Sequence, residues 1–113
     1  MRIYIAGPMR GYPLYNFLAF DAAARRFEAL DWEVINPAQM DRDIGFDPTG
    51  PLPEGFAVEA IERDRQALRT CHAIALLPGW EQSEGVQEHE LPLALALGLP
   101  ILDAMSGCPL LPT

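Results

Sequence analysis

The chain has 113 residues, half of them hydrophobic and 21% charged, which is typical of a globular protein with one core. This composition excludes a disordered chain, a collagen-like chain and a disulfide scaffold. A net charge of -8 argues against nucleic-acid binding as the main function, because so acidic a surface repels a phosphate backbone. No membrane span, signal peptide or cysteine pattern is visible, so we expect one cytoplasmic domain over residues 1–113.

The first half of the chain predicts two strands joined by a helix. Residues 2–6 form an apolar run that a Gly-Pro pair ends, which is typical of a buried strand. Helical spacing follows over 14–30, and 32–35 predict a second strand. The apolar face of the helix would comprise Phe17, Phe20, Ala24, Phe27 and Leu30. The segment 38–55 is rich in proline and glycine, so we expect a long functional loop there.

The second half continues the alternation of helices and strands. It predicts a helix over 56–70, a central strand over 73–77, a helix over 89–97 and a strand over 99–102. We expect the tail, 106–113, to be irregular. The alternation predicts an α/β fold with a parallel sheet and right-handed crossovers. Ligands of such sheets bind at the carboxyl ends of the strands.

A loop with two glycines follows the first predicted strand. Gly7 and Gly11 could let backbone N–H groups approach a phosphate or a ribose. The spacing is neither that of the dinucleotide fingerprint nor that of a P-loop, and a plain tight turn explains it equally well. Arg10 could pair with a phosphate or a carboxylate, or be solvated.

Asp64 lies on the apolar face of the second long helix, with Ile61 three residues before it and Leu68 four residues after it. Its carboxylate should therefore point toward the core. Burial of a carboxylate is costly unless it is paired, so Asp64 is either a functional residue or a structural partner. A structural partner would be Arg63, Arg65 or a backbone N–H.

Glu90 also places an acid on an apolar stripe, since it shares a helical face with Leu93 and Leu97. Proline is tolerated in the first turn of a helix, so Pro92 predicts a helix that begins close to Glu90. The positive end of the helix dipole would then help to keep the Glu90 carboxylate ionised, as a nucleophile requires. Alternatively, Glu88 and Glu90 are simply favourable acids of a first turn.

The remaining polar and aromatic residues give weaker indications. His72 and His89 have no metal-ligand spacing with the scattered acids, so we predict neither a metal nor another cofactor. Trp80, just past a strand, could stack on a base or cap the core. Asn36 and Gln39 are candidate amide contacts.

Five short motifs follow one another along residues 2–102. They are Ile-Tyr-Ile-Ala-Gly-Pro-Met-x-Gly at 3–11, Tyr-Asn-Phe with a further Phe at 15–20, Val-Ile-Asn-Pro-Ala at 34–38, Ala-Ile-Ala-Leu-Leu-Pro-Gly-Trp-Glu-x-Ser-x-Gly at 73–85, and Ala-Leu-Gly-Leu-Pro at 96–100. Together they resemble the short nucleoside 2-deoxyribosyltransferase-like family, found mostly in phages and prophages. The wider superfamily includes deoxynucleoside 5'-monophosphate N-glycosidases.

The resemblance implies a flavodoxin/Rossmann-like three-layer sandwich with four to five parallel strands. It also implies that Glu90 attacks the anomeric carbon of the sugar and expels the base, while Asp64 and Tyr4 position the nucleophile and the sugar. The loop with Arg10 would hold the 5' end or a phosphate, and Trp80 would face the base. The implied substrate-binding residues are Gly7, Pro8, Met9, Arg10, Gly11, Asn36, Trp80, Ser83 and Gly85.

Three departures from the family pattern keep alternatives open. Ser83 stands where the family has an aspartate that assists the leaving base. The spacing from Gly85 to Glu90 is one residue longer, so Glu88 is a rival nucleophile. The chain also ends before the segment with which longer transferases reach across a subunit interface.

These departures favour hydrolysis of a nucleotide, or binding without turnover, over transfer between free nucleosides. We expect a small-molecule nucleoside or nucleotide as partner, no nucleic acid or membrane, and a homodimer or larger homo-oligomer. The acidic surface would also fit an interaction module for a basic partner.

Overall fold

Four short strands form one sheet at the centre of the computed structural model, which describes residues 1–110. The strands are β1 (Arg2–Ala6), β2 (Glu33–Ile35), β3 (Ala73–Leu76) and β4 (Ile101–Asp103). They lie in the order β2-β1-β3-β4, and every pairing is parallel. The predicted α/β fold is therefore confirmed, as a flavodoxin- or Rossmann-like sandwich.

Helices cover both faces of this sheet. They are α1 (Phe17–Glu28), α2 (Pro37–Asp43), α3 (Phe56–Leu68) and α4 (Leu91–Ala96), with 3₁₀ turns at Pro13–Asn16 and Trp80–Gln82 and a π-helical turn at Val86–Glu90. Over the described part of the chain, every helix is too short or too polar to cross a bilayer.

Alternate side chains of β1 enter two separate cores, because successive residues of a strand point to opposite faces. Ile3 and Ile5 are fully buried among side chains of α1 and α2. Tyr4 and Ala6 are buried on the other face, among side chains of α3, the π-helical turn and α4. The period of the strand therefore decides which helices the Tyr4 side chain meets.

The sheet has its switch point between β1 and β3. The chain leaves β1 toward β2 on one side, whereas β3 lies on the other side, so the loops after β1 and β3 diverge. In open α/β sheets a crevice for ligands forms at this place. Gly7 lets the two chain segments approach, since a Cβ atom there would lie 2.7 Å from Cβ of Leu77.

The helix predicted over 14–30 is shorter than expected. Residues 14–16 have left-handed backbone conformations, with φ between 50° and 62°, and non-glycine residues cannot continue an α-helix from there. The helix also ends before Leu30, which is 65% exposed and so does not belong to the buried face. The four predicted strands and the helix predicted over 56–70 agree with the structure to within two residues at each end.

The long loop predicted over 38–55 is wrong in its first part, which α2 occupies. Asn36 caps this helix, since its Oδ1 accepts a hydrogen bond of 3.0 Å from the N–H of Ala38. Pro37 fills the first helical position, where its missing N–H costs nothing. The irregular segment therefore begins at 44.

The prediction that a helix begins close to Glu90 is also wrong, because helical structure begins at 84. A proline inside an α-helix lacks one hydrogen-bond donor and collides with the preceding turn. The π-helical turn before Pro92 relieves this conflict by widening the helix. Within it, the N–H of Leu91 donates to the carbonyl of Val86, five residues earlier.

Part of the tail predicted to be irregular adds to the sheet edge. Pro109 pairs in antiparallel fashion with Leu102 of β4. The N–H of Asp103 donates to the carbonyl of Cys108 (2.7 Å), and the N–H of Leu110 donates to the carbonyl of Ile101 (2.8 Å). The rest of the predicted tail, 111–113, lies outside the described residues.

Candidate active site

A cavity of about 200 Å³ lies at the carboxyl ends of the strands, beside the switch point between β1 and β3. We call it the inner cavity. Its apolar wall consists of Met9, Tyr15, Phe20, Pro37, Leu52, Phe56, Ala57, Ala60 and Ile61. Its polar side chains are Arg10, Asp41, Arg63, Asp64, Ser83, His89 and Glu90. An apolar pocket with a few convergent polar groups is the usual form of a small-molecule site.

Tyr4 meets Glu90, which lines this cavity. The Tyr4 hydroxyl donates a hydrogen bond to Oε2 of Glu90. Burial raises the pKa of the Tyr4 phenol well above its ordinary value, so this group stays protonated and acts as a donor. Burial also raises the pKa of Glu90 to about 8, although the Tyr4 hydrogen bond opposes part of this rise.

The expectation that a helix dipole keeps Glu90 ionised therefore does not hold. The dipole acts mainly in the first turn of a helix, whereas Glu90 lies six residues into the helical run that begins at 84. Loss of hydration dominates instead, and it favours the protonated form of the Glu90 carboxyl.

Asp64 faces the same cavity from α3, as its position on the apolar face predicts, and its side chain is 18% exposed. It also has the structural partner considered above, because Nε and Nη2 of Arg63 donate to Asp64 Oδ1 at 3.0 and 2.8 Å. Burial raises the pKa of Asp64 to about 6, and Arg63 opposes this rise. Burial thus favours the protonated form of both carboxyls, and it raises the pKa of Glu90 further than that of Asp64.

Asp41 is a member of the site that the sequence analysis missed. It lies on α2 with 3% of its surface exposed, and its Oδ1 accepts a hydrogen bond of 2.7 Å from Nη2 of Arg63. The prediction of a loop at 38–55 left Asp41 without a helical position. The Asn36-Pro37 pair was the available signal, because an N-cap followed by proline indicates a helix start.

The structure places the two candidate nucleophiles in different surroundings. Glu90 lines the inner cavity, whereas Glu88 is exposed and lines a neighbouring depression, which we call the outer pocket. The outer pocket is lined by Pro8, Met9, Arg10, Tyr12, Ile61, Gly79, Gln82, Ser83, Glu84, Glu88 and His89. Because Arg10, Ser83 and His89 line both spaces, the outer pocket adjoins the mouth of the inner cavity.

The predicted substrate-binding residues fall into two groups. Those that line the inner cavity are Gly7, Met9, Arg10, Ser83 and Gly85, and Pro8 lines the outer pocket. The other three lie elsewhere. Gly11 is exposed in a left-handed turn, Trp80 packs against the core between the sheet and α4, and the side chain of Asn36 caps α2.

The aromatic part of the apolar wall was also missed. The left-handed turn at 14–16 directs Tyr15 into the cavity, and Asn16 Nδ2 ties this turn to the carbonyl of Pro8 at 2.9 Å. Phe46 supports the wall from behind, with its ring 5.3 Å from that of Tyr15 and 4.5 Å from that of Phe56. Periodicity carries no signal for such a turn, since its residues are neither helical nor extended.

Comparison with known proteins identifies the family of the chain. Residues 1–103, which include every strand and every residue of the inner cavity, match the family described as "Domain of unknown function (DUF4406)". No curated protein matches the chain.

Proposed function

Because the chain belongs to the DUF4406 family, whose description names no function, we propose a function from the chemistry of its cavity. The protein cleaves, or transfers at, the N-glycosidic bond of a nucleoside, a nucleotide or a related ribosyl metabolite. One observation carries this proposal: Tyr4 donates to Glu90, and Asp64 lies next to this pair in a largely apolar cavity. The resemblance to deoxyribosyltransferases assigns these same three residues to the reaction.

Glu90 would act as the nucleophile. Its carboxylate oxygen forms a bond to the anomeric carbon as the bond from that carbon to the base nitrogen breaks, and the base leaves with the electron pair. Water, or a second base, then attacks the same carbon and displaces the Glu90 carboxylate. With water the products are a free sugar or sugar phosphate and a free base.

The attack requires Glu90 to lose its proton first. The hydrogen bond that Tyr4 donates then stabilises the ionised form of Glu90. The positive charge that develops on the sugar in the transition state then favours the ionised form of Glu90. The aromatic wall offers a surface for stacking of the base, and Arg10 lies at the mouth, where a 5' phosphate could reach it.

A second candidate function is binding without turnover. Two features favour it: burial favours the protonated form of Glu90, which is a poor nucleophile, and Ser83 is a poor general acid for the leaving base. Such a protein would bind or sequester a nucleotide-derived metabolite in the inner cavity.

The test is incubation of the purified protein with a panel of nucleosides and 5'-nucleotides, followed by chromatography for free base. We expect slow release, at least a hundredfold slower in Glu90→Ala and unchanged in the matched variant Glu88→Ala. Mass spectrometry of the denatured protein should show a glycosyl adduct on Glu90. Release that persists in Glu90→Ala overturns the assignment, while a nucleotide that raises the Tm without any release favours binding alone.

We also propose that the protein acts on a small molecule in the cytoplasm, and that it forms a homodimer or a larger homo-oligomer. Apolar side chains at the end of α4 support self-association, since Leu95 is 57% and Leu97 43% exposed. Light scattering in solution measures the mass of the particle, and a monomer at working concentrations would contradict this part.

A further inference from the structure

Asp41 is unusual in this molecule. Among the described residues it is the only charged one that is buried, with 3% of its surface exposed. A buried carboxylate needs a partner, and Arg63 provides it at 2.7 Å. The pair joins α2 to α3 at the wall of the inner cavity, which both residues line.

The contact between Arg63 and Asp64 is not one that a helix makes by default. Neighbouring residues of an α-helix point about 100° apart, so their side chains do not face each other. The Arg63 side chain must bend around its own helix to place Nε and Nη2 on Asp64 Oδ1 at 3.0 and 2.8 Å. The same Nη2 holds Asp41, so the guanidinium has an anchor outside its helix.

We propose that Asp41 and Arg63 are positioning residues of the site: Asp41 anchors the Arg63 guanidinium in the orientation that holds the Asp64 carboxylate beside Tyr4 and Glu90. Guanidinium is suited to this because it is planar and presents donors in a fixed fork. The catalytic importance of these two residues rests on the proposed function. Their effect on the orientation of Asp64 does not depend on it.

The charged groups around Asp64 shift its pKa, which can be measured. The groups that face Asp64 are Arg63 on α3, Tyr4 on β1, Asp41 on α2 and Glu90 in the π-helical turn. Arg63 lowers the pKa of Asp64 by charge and by hydrogen bonds, whereas the negative charge of Asp41 raises it by a smaller amount. Arg10 and His89 line the same cavity.

Two substitutions of Asp41 should therefore act in opposite directions. Asp41→Asn removes the negative charge but keeps an oxygen that accepts from Arg63, so the midpoint of Asp64 titration should fall slightly. Asp41→Leu removes the charge and the acceptor, which frees Arg63 to turn toward solvent. The midpoint should then rise by about one pH unit, because the loss of Arg63 outweighs the loss of the Asp41 charge.

The experiment is a ¹³C NMR titration of side-chain carboxyl groups in the full chain, with the Asp64 signal identified from the spectrum of Asp64→Asn. Asp21→Leu is the matched control, because Asp21 on α1 forms an ion pair with Arg42 on α2 (2.6 Å) outside the inner cavity. It should leave the Asp64 midpoint unchanged. If Asp41→Leu does not fold, Arg63→Lys tests the same point, since lysine keeps the charge without the fork and should also raise the midpoint.

A midpoint that falls equally in Asp41→Leu and Asp41→Asn, or that does not rise in Arg63→Lys, overturns the inference. Base release is measured in parallel on the same variants, and its pH profile should move with the Asp64 midpoint. If the wild-type protein releases no base but the midpoint rises as expected, the proposed function fails and the positioning of Asp64 stands. The two failures are thus distinguishable.

Discussion

The two sides of the π-helical turn Val86–Glu90 place similar residues in opposite surroundings. Glu88 is exposed at the outer pocket, whereas Glu90, two positions later, lines the inner cavity and accepts a hydrogen bond from Tyr4. Burial raises the pKa of Glu90 to about 8. The comparison teaches that the chemistry of a carboxyl group follows its burial and its partners rather than its sequence neighbourhood.

The largest expected effect that tests this comparison is on stability. The pKa of Glu90 is about 8 in the folded protein against about 4.5 when unfolded, so the unfolded chain loses its proton at lower pH. The free energy of unfolding should fall as the pH rises from about 4.5 to 8 and be insensitive to Glu90 above that. Glu90→Gln avoids this loss and should be roughly 3–5 kcal/mol more stable than wild type at pH 8, with little difference at pH 4.5.

Urea denaturation at the two pH values measures this difference, and Glu88→Gln is the matched control. Because Glu88 is exposed, its substitution should change the free energy of unfolding by less than about 0.5 kcal/mol at either pH. Equal effects of the two substitutions would remove the distinction between the two sides of the turn.

The second-largest effect is expected when an acidic side chain is added to the inner cavity. Ser83 lines the inner cavity, and its Oγ accepts from the N–H of Val86 at 3.3 Å. Ser83→Asp keeps this contact, since aspartate caps helices as well as serine, and supplies a proton for the leaving base. We expect base release to increase about 10- to 100-fold at mildly acidic pH.

Ser83→Asn is the control for this gain, because asparagine keeps the capping oxygen and has no acidic proton. Chromatography of released base compares the two variants on the same nucleotide. A gain of equal size in Ser83→Asn would show that packing rather than proton donation is responsible.

The smallest effect concerns the partner of Glu90 on β1. Tyr4→Phe removes the hydroxyl that favours the ionised form of Glu90, so the pKa of Glu90 should rise further. Base release at neutral pH should then fall about tenfold, with the acidic limb of its pH profile displaced upward. Tyr12→Phe at the outer pocket is the matched control and should leave the profile in place.

Much of the fold could be predicted from sequence because it depends on local pattern. The apolar run of β3 and the alternation of elements suffice for a parallel sheet. The errors arose where two signals competed. Proline and glycine between 45 and 55 concealed α2, and Pro92 suggested a helix start that the π-helical turn makes unnecessary.

The site could be predicted only in part. Asp64 and Glu90 stand on apolar faces of helices, so periodicity finds them. Asp41 has no such mark, because its burial depends on Arg63, which lies 22 positions away in the sequence. The protonation of Glu90 likewise depends on Tyr4, 86 positions away. Contacts of this kind belong to the tertiary structure and leave no local pattern.

The short segment beside β4 has a consequence for how the protein behaves in a crowded solution. A free sheet edge is a template on which another chain can polymerise, and proteins avoid this with obstacles. Here residues 108–110 cover the edge of β4, and Pro109 brings no N–H group to it. A strand of another molecule would find incomplete hydrogen-bonding partners at this edge. The segment therefore protects the sheet from being extended into a fibre on the β4 side.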